Sequence, residues 1–326
     1  MRVLMITSEW PSEESPYSAP FVVRQFNKLI ENNINVDIVH VRGAGNLFRY
    51  IKNWKKVHKI LKNGNYNIIH AQWGQSALSA IPSSLPLVVT YRGDDLEGII
   101  NNKGKHGLNS YVLQFIGRVV SSISDYNIVV SSHMIPKLWG NKAPVKVIPS
   151  GIDFTKIPTL TKSEARKKWN FPLNKKVVIF PNDKSKTRKR FDLVEKCIEL
   201  LPPEYKEMVE LRVVYGFKHH EILEQMIASD FLIFTSIHEG SPNVVKEAIA
   251  CNLPIISVNV ADVSERIGKI EGCHVVEGYN AIDLSNALKL ALDHDYSNYS
   301  SIEFSKSLDE NILVKNLIET YQSLIK

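Results

Sequence analysis

The stretch Ser229-Asp230-Phe231-Leu232-Ile233-Phe234-Thr235-Ser236-Ile237-His238-Glu239-Gly240-Ser241-Pro242-Asn243-Val244-Val245-Lys246-Glu247-Ala248 decides how the chain is read. Consecutive apolar residues ahead of a polar loop spell a buried strand, and Pro242 suits the first turn of a helix, where no N–H is needed. The spacing predicts a strand over 231–235, a loop, and a helix that begins near Ser241 or Pro242 and includes 244–251. The unpaired N–H groups at such a helix start cradle an anion or a polyol. Glu239 stands in the loop and Glu247 about two turns into the helix, so both carboxylates can border one cleft at different depths. One suits sugar hydroxyls and the other ribose hydroxyls. Taken alone, the pair reads first as a helix cap and a solvated helix residue.

Outward from this stretch the same rhythm fills the chain. Short apolar runs rich in β-formers occur at 3–7, 36–41, 68–70, 87–90, 128–130 and 145–148, with helical stretches between them. A second set follows at 177–180, 211–215, 231–235, 254–258 and 274–276, again separated by helix-like segments such as 190–201. Strand, helix, strand alternation argues for parallel sheets with right-handed crossovers. The expected architecture is α/β with two Rossmann-like domains: 1–150, then 151–308, with the break just after Pro149-Ser150-Gly151. Residues 309–326 form a last helix that packs back toward the N-terminal domain, its apolar side made of Ile312, Leu313, Leu317, Ile318, Tyr321 and Leu324.

Composition sets the outer limits. With 326 residues, 44% hydrophobic and 23% charged, the chain buries a normal core and is not a disordered protein. The first apolar run ends at Ser8-Glu9, too early for a signal-peptide core, and no later run is long enough to span a bilayer, so a cytoplasmic protein is expected. The three cysteines, Cys197, Cys251 and Cys273, have neither disulfide-framework nor zinc-site spacing. Net charge is 40 − 34 = +6, unevenly placed: residues 1–150 carry 17 Lys and Arg against 9 Asp and Glu, leaving 23 against 25 for the remainder. The basic half is expected to meet something anionic, such as nucleic acid, a lipid surface or a phosphorylated acceptor. Nucleic acid is disfavoured because no module combining aromatic and basic residues is present, and hydride transfer because no GxGxxG follows the first strand.

Glu239-Gly240, Pro242, Glu247-Ala248 and Pro254 together resemble the signature of the retaining glycosyltransferases of family 4, with Asn252 where that family usually has Gly. Val147-Ile148-Pro149-Ser150-Gly151-Ile152-Asp153 is similar to the family's domain junction, and the resemblance covers nearly the whole chain. It implies the GT-B fold, two Rossmann-like domains facing across a cleft, with a nucleoside diphosphate sugar held mostly by the C-terminal one. It further implies that Glu239 is the catalytic carboxylate on the donor sugar, that Glu247 holds the ribose, that Gly240, Ser241, Pro242 and Asn243 present backbone groups to the donor, and that no metal and no further cofactor is required.

The loop 181–192 brings Lys184, Lys186, Arg188, Lys189 and Arg190 to a helix start, where fixed positive charge can neutralise a leaving diphosphate. Relatives carry Gly-Arg at the strand end and Lys-Gly before the helix. Here Phe180-Pro181 and Lys189-Arg190 replace them, so Lys189 is the direct match, while Lys184, Lys186 or Arg188 supplies the charge of the missing Arg. A solvated basic loop is the plain alternative. In the N-terminal half, Ser18-Ala19-Pro20 stands where relatives have a Gly-rich loop. His70-Ala71-Gln72-Trp73-Gly74 and Thr90-Tyr91-Arg92-Gly93-Asp94-Asp95 end two strands and resemble the family's acceptor-side stretches, with Arg92 in place of His. Ser18, Trp73, Arg92 and Asp94 are therefore acceptor-side candidates, against simple turn chemistry.

One further segment stands out. From Gly43 to Lys62 there is no acidic residue, and a helix over 47–61 would place Leu47, Ile51, Trp54, His58 and Leu61 on one side, with Arg49, Lys52, Lys55, Lys56, Lys59 and Lys62 elsewhere. Such a helix suits an anionic membrane surface, though its apolar side equally suits a domain core. The resulting expectation is a hexosyltransferase moving sugar from a nucleotide-sugar to a glycan or lipid-linked acceptor in cell-surface polysaccharide synthesis. It would sit in the cytoplasm or at the inner membrane face. The competing expectation is a non-catalytic GT-B subunit that binds a partner glycosyltransferase or a sugar nucleotide.

Overall fold

The computed structural model describes residues 1–13, 15, 18–41, 47–101, 104–140 and 142–325, with Leu47, Phe48 and Tyr50 described as backbone. By internal contacts the chain divides into two units, residues 1–99, 106–151 and 310–326 forming one and 100–105 with 152–309 the other.

Unit 1 contains, in chain order, β1 (Arg2–Thr7), α1 (Pro20–Glu31), β2 (Asn35–His40), α2 (Leu47–Asn63), β3 (Ile68–Gln72), α3 (Gly74–Ala77), β4 (Leu87–Tyr91), α4 (Asp94–Glu97), α5 (Leu108–Ile123), β5 (Tyr126–Val129) and β6 (Val145–Val147). The strands form one parallel sheet in the order β2-β1-β3-β4-β5-β6. Sheets covered on both faces need strands apolar on both faces. β1 meets that need: Val3 and Met5 enter one core, while Leu4 and Ile6 enter the core on the other side. The first core is closed by Val22 and Leu29 of α1, the second by Val57 of α2, Ala77 of α3 and Val120 of α5.

Unit 2 contains α6 (Lys162–Lys168), β7 (Lys176–Phe180), α7 (Phe191–Glu199), α8 (Pro203–Met208), β8 (Val209–Val213), α9 (His219–Ala228), β9 (Phe231–Phe234), α10 (Asn243–Ala250), β10 (Ile255–Val258), α11 (Val263–Ile267), β11 (His274–Val276), α12 (Ala281–Asp293) and α13 (Ile302–Ser305). Its parallel sheet runs β11-β10-β9-β7-β8. Val178, Phe180, Phe231 to Phe234, Ile255 and Ile256 are all buried in one core with Leu193, Leu223, Val245 and Leu284 of the flanking helices. The last helix, α14 (Glu310–Leu324), belongs to unit 1 and buries Leu313, Val314, Leu317 and Tyr321 beside α1.

Three local expectations shift. β8 lies two residues earlier than the apolar run 211–215, leaving Tyr215 63% exposed beyond the strand end. On α14 it is Val314 that is buried, while Ile312 faces solvent. On α2 the expected apolar side meets the core only at Leu61, and the Leu47 side chain lies outside the described residues. Val57 is buried and Ile60 packs against the core beside Leu61, one helical row away from Ile51 and Trp54, which are exposed although they share Leu61's row. Trp54 and His58 instead hold a neighbouring turn, Trp54 Nε1 donating to the Ile81 carbonyl and His58 Nε2 bonding the Pro82 carbonyl. Arg49, Lys52, Lys55, Lys56, Lys59 and Lys62 are all exposed. No helix among the described residues is long and apolar enough to cross a membrane.

Candidate functional site

In unit 2 the chain passes from β8 on one side of β7 to β9 on the other. Such a reversal opens a crevice at the carboxyl ends of the two central strands, where open α/β sheets hold ligands. The loops leaving β7 and β9 meet there and are stitched together. Thr235 Oγ1 donates to the Lys189 carbonyl at 2.8 Å, the Ile237 N–H donates to the Arg188 carbonyl at 3.0 Å, and Ser236 Oγ lies 3.4 Å from the same carbonyl. Arg190, at φ 51°, turns the chain into α7 and pairs with Asp192.

This stitching sorts the basic loop. Lys184, Lys186 and Arg188 are exposed, whereas Lys189 turns inward, its side chain 14% exposed, and pairs with Glu239 at 2.5 Å. Glu239 is 15% exposed and accepts a second hydrogen bond from Ser236 Oγ at 2.7 Å on the same oxygen. The Lys189 ammonium also lies 5.7 Å from the Phe234 ring centroid. The carboxylate expected on the sugar and the cation expected on the diphosphate thus neutralise one another. A charge-assisted contact of this kind fixes both side chains.

The helix start lies at Asn243, with Pro242 as its N-cap, and no side chain caps it. The buried Oδ1 of Asn243 has no hydrogen-bond partner among the described residues. Ser241 donates to Asp262 at 2.8 Å, and Asp262 is in turn held by Arg266, so the residue before the cap is fixed from α11. Glu247 is the fifth residue of α10, about one turn in rather than two, and accepts from His219 Nε2 at 2.9 Å. Gly240 completes the loop between Glu239 and Ser241.

In unit 1 the corresponding reversal lies between β1 and β3. Gln72 ends β3, and its Nε2 donates to Gln25 of α1 at 2.7 Å. Arg92, just beyond β4, donates to Gln72 Oε1 at 2.6 Å, to Gln25 Oε1 at 3.1 Å and to Ser150 Oγ at 3.1 Å, and its guanidinium lies 5.0 Å from the Phe21 ring. Burial lowers the Arg92 pKa to about 10. Trp73 is 7% exposed with its ring against Phe21, so most of its surface belongs to the core. Ser18 lies in the turn before α1, its N–H donating to the Ser15 carbonyl. Asp94 is exposed. Its neighbour Asp95 is fully buried and accepts from the N–H groups of Gly74, Gly93 and Arg92. Burial pushes the Asp95 carboxyl up to about 6.

The residues that hold the site were not singled out by sequence: Ser236 on Glu239, His219 on Glu247, the Asp262–Arg266 pair on Ser241, Gln25 and Gln72 on Arg92, and Asp95 under both acceptor-side turns. Only Asp95 had a local signal, its place in a Gly-Asp-Asp turn after a strand. Among the described residues no group of three or more His, Cys, Asp or Glu is placed to hold a metal ion.

Comparison with known proteins assigns the class. The family profile described as Glycosyltransferase Family 4 matches residues 45–156, and that described as Glycosyl transferases group 1 matches residues 204–312. The chain belongs to the GT-B glycosyltransferases of the family 4 type. One curated relative is TuaC of Bacillus subtilis (strain 168), named for glycosyl transfer in teichuronic acid biosynthesis; it is 26% identical over 227 residues, covering 62% of this chain and 56% of the relative. The match thus spans little more than half of that protein's length. Among solved structures, Anabaena HepE in complex with UDP and glucose superposes with a TM-score of 0.71 at 16% identity, covering 99% of this chain and all of the other. Sucrose-phosphate synthase from Thermosynechococcus elongatus gives 0.70 at 14% identity, with coverage of 100% and 94%. At these identities the likeness shows the fold.

Proposed function

We propose that the protein transfers a hexose from a nucleoside diphosphate sugar, with retention of configuration, to a hydroxyl of a glycan or lipid-linked acceptor in cell-surface polysaccharide synthesis. The observation that carries this reading is the Lys189–Glu239–Ser236 constellation at the carboxyl ends of β7 and β9, with Glu247 one turn into the adjoining helix. In the reaction the bond from the sugar's anomeric carbon to the diphosphate breaks and the acceptor oxygen bonds to that carbon on the same face. The acceptor proton passes to the leaving phosphate oxygen. Lys189, with Lys184 and Arg188 of the exposed loop, offsets the charge that grows on the leaving group, a role best filled by charges fixed before the reaction. Glu239 orients the sugar hydroxyls and Glu247 the ribose. The unpartnered Asn243 oxygen is an acceptor for a further donor hydroxyl. On this reading side chains and backbone N–H groups supply the positive field, and neither a metal nor another cofactor is used.

Several likenesses support parts of the proposal. The HepE structure holds UDP and glucose, which favours a uridine donor as the first probe. TuaC is named for glycosyl transfer in teichuronic acid biosynthesis, which favours a polysaccharide acceptor. The test is a panel of nucleotide-sugars read by thermal shift, since a ligand at 100 times its Kd stabilises by about 2.7 kcal/mol. Turnover with the stabilising donor, and the anomer of the product, are then read by NMR. Stabilisation with a retained anomer is expected. No stabilisation by any donor overturns the reading, and donor binding without turnover under any acceptor makes the chain a binding subunit.

A further inference from the structure

Three cations of unit 1 converge on one small pocket. Arg24 and Lys28, one turn apart on α1, share it with Arg92 at the end of β4, and its far wall is the segment Ile148 to Gly151 beyond β6 with the first turn of α14. All of these residues belong to unit 1. The chain passes into unit 2 after Gly151 and comes back at Glu310, and the two passages touch there: a Cβ on Gly151 would lie 2.6 Å from the Glu310 Cα. That close approach brings the Glu310 carboxylate to the pocket. The free volume is about 30 Å³, room for one small charged head and not for a sugar ring.

The charges around the pocket are unequal. Glu310 is the one carboxylate in its lining, and it stands 3.3 Å from the Lys28 ammonium and 3.8 Å from Arg24 Nε. Lys28 makes its shorter contact, 2.9 Å, outward to the exposed Glu31, and Arg24 donates to the Gly151 carbonyl. Arg92 has no carboxylate at its guanidinium. Its Nε and Nη2 donate to Gln72 Oε1, Nη2 also to Gln25 Oε1, and Nη1 to Ser150 Oγ, all neutral oxygens. A guanidinium has five N–H groups, so one on Nη1 is left without an acceptor among the described residues. Asp95, the nearby acid, spends its carboxylate on the backbone N–H groups of Gly74, Arg92 and Gly93. Burial is the main cause of the lowered Arg92 pKa; Asp95 opposes the shift and repulsion from Arg24 adds to it. The floor is apolar, with Ile148, Leu313 and Val314 all buried, which strengthens every charge contact above it. A cation held in such a place without a counter-charge costs free energy that an anion would return.

We propose that this pocket binds one small oxyanion group, the carboxylate or phosphate borne by the acceptor, and so selects an acidic acceptor over a neutral one. The inference rests on the transferase reading given above. The remaining Nη1 hydrogen of Arg92 and the Lys28 ammonium supply the contacts, and Arg24 adds its charge. The Arg92 fork is held in place by Phe21, Gln25 and Gln72, and a guanidinium fixed in this way suits an oxyanion better than a freely moving cation does. Glu310, at 3.3 and 3.8 Å, is the loosely held counter-ion that the ligand displaces. A diphosphate is too large for the pocket, and the cations assigned to the donor lie in unit 2.

The experiment is titration calorimetry on the full chain at constant ionic strength, with glucose, glucuronate, glucose 6-phosphate and inorganic phosphate as probes and UDP titrated into the same samples. At least one of the two sugar acids is expected to bind tenfold or more tighter than glucose. Arg92→Gln and Lys28→Gln should each remove at least fivefold of that preference, with melting temperatures matched to the wild type. Glu310→Gln should tighten the sugar acid about threefold, a gain that a purely structural clasp between α1 and α14 would not give. If Arg92→Gln does not fold, Lys28→Gln and Glu310→Gln carry the test. Equal binding of glucose and both acids overturns the proposal, as does a preference that survives in Lys28→Gln and is not raised in Glu310→Gln. Inorganic phosphate binding as tightly as the better sugar acid makes the pocket a free-anion site and overturns the acceptor assignment. UDP should bind wild type and variants equally; its failure to bind any of them would sink the transferase reading and leave the anion result standing.

Discussion

Replacing Glu239 with Gln should tighten nucleoside diphosphate binding while it destroys transfer, an unusual pair of signs for one substitution. The reasoning starts from the 2.5 Å contact between Lys189 and Glu239, both about 85% shielded from water. At an effective dielectric of 20 the gross attraction at that distance is roughly 7 kcal/mol, and desolvation of the two groups returns most of it, leaving a net interaction of about 1 to 2 kcal/mol. A diphosphate that recruits Lys189 must give up that net amount. Gln keeps the shape and the acceptor from Ser236 but removes the charge, so about 1 kcal/mol should reappear as a roughly fivefold lower Kd for UDP. In the transition state the same carboxylate is lost from the sugar, and kcat/KM should fall by about 10² to 10³. Lys189→Met is the control and should weaken UDP binding about tenfold. Titration calorimetry with UDP and initial rates with the donor give both numbers. If the Gln variant binds UDP no better than the wild type, the pair is not a competitor of the diphosphate; if it turns over normally, Glu239 does not touch the reacting sugar.

Two further outcomes can be checked. Glu247→Ala should raise the donor KM about tenfold with kcat nearly kept, because ribose contacts are shared by ground and transition states; a lost kcat at unchanged KM would exchange the roles of the two glutamates. Acid should destabilise the fold through His70, fully buried between Tyr321 and Thr90, where burial lowers its pKa to about 3. The unfolded chain protonates this imidazole near pH 6.5 and the folded one does not, so below that pH the unfolded state binds the extra proton and stability falls. Between pH 7.5 and 5 the loss is about 2 kcal/mol, visible in denaturant titrations, and His70→Gln should flatten that slope; an unchanged slope would show that other groups cause it.

The sheets were legible because the inner strands β1, β3, β4, β7, β9 and β10 are buried on both faces, and such strands write themselves as apolar runs; the edge strand β8 slipped because Val214 is buried just past its end and lengthens the run. Glu239, Lys189 and Glu247 were legible from order along the chain. Their supports were not. Ser236 is three residues from Glu239, but Lys189 is fifty away and His219 twenty-eight from Glu247, and nothing in a linear pattern records which side chain closes such a distance. The α2 error has a different cause. Ile51, Trp54, His58 and Leu61 form one row and Val57 and Ile60 the next, both compatible with a 3.6-residue period, and only the sheet beneath selects the boundary that Leu61 shares with Val57 and Ile60.

The bond between His70 and Tyr321 joins residues 251 positions apart, and around it Leu313, Val314 and Leu317 cover Val22 and Leu29. On the ribosome this places the closure of unit 1 after the emergence of unit 2. Its six strands and first five helices leave the tunnel first, and roughly 160 residues follow before α14 arrives. At about 5 to 20 residues per second that is an interval of roughly ten to thirty seconds. During it unit 2, supplied almost wholly by the continuous segment 152–309, has its entire core in hand, while the α1 side of unit 1 waits with an uncovered apolar seam. A nascent chain arrested anywhere in that window carries a finished second unit and a sticky first one, the form that trigger-type holdases and degradative proteases recognise.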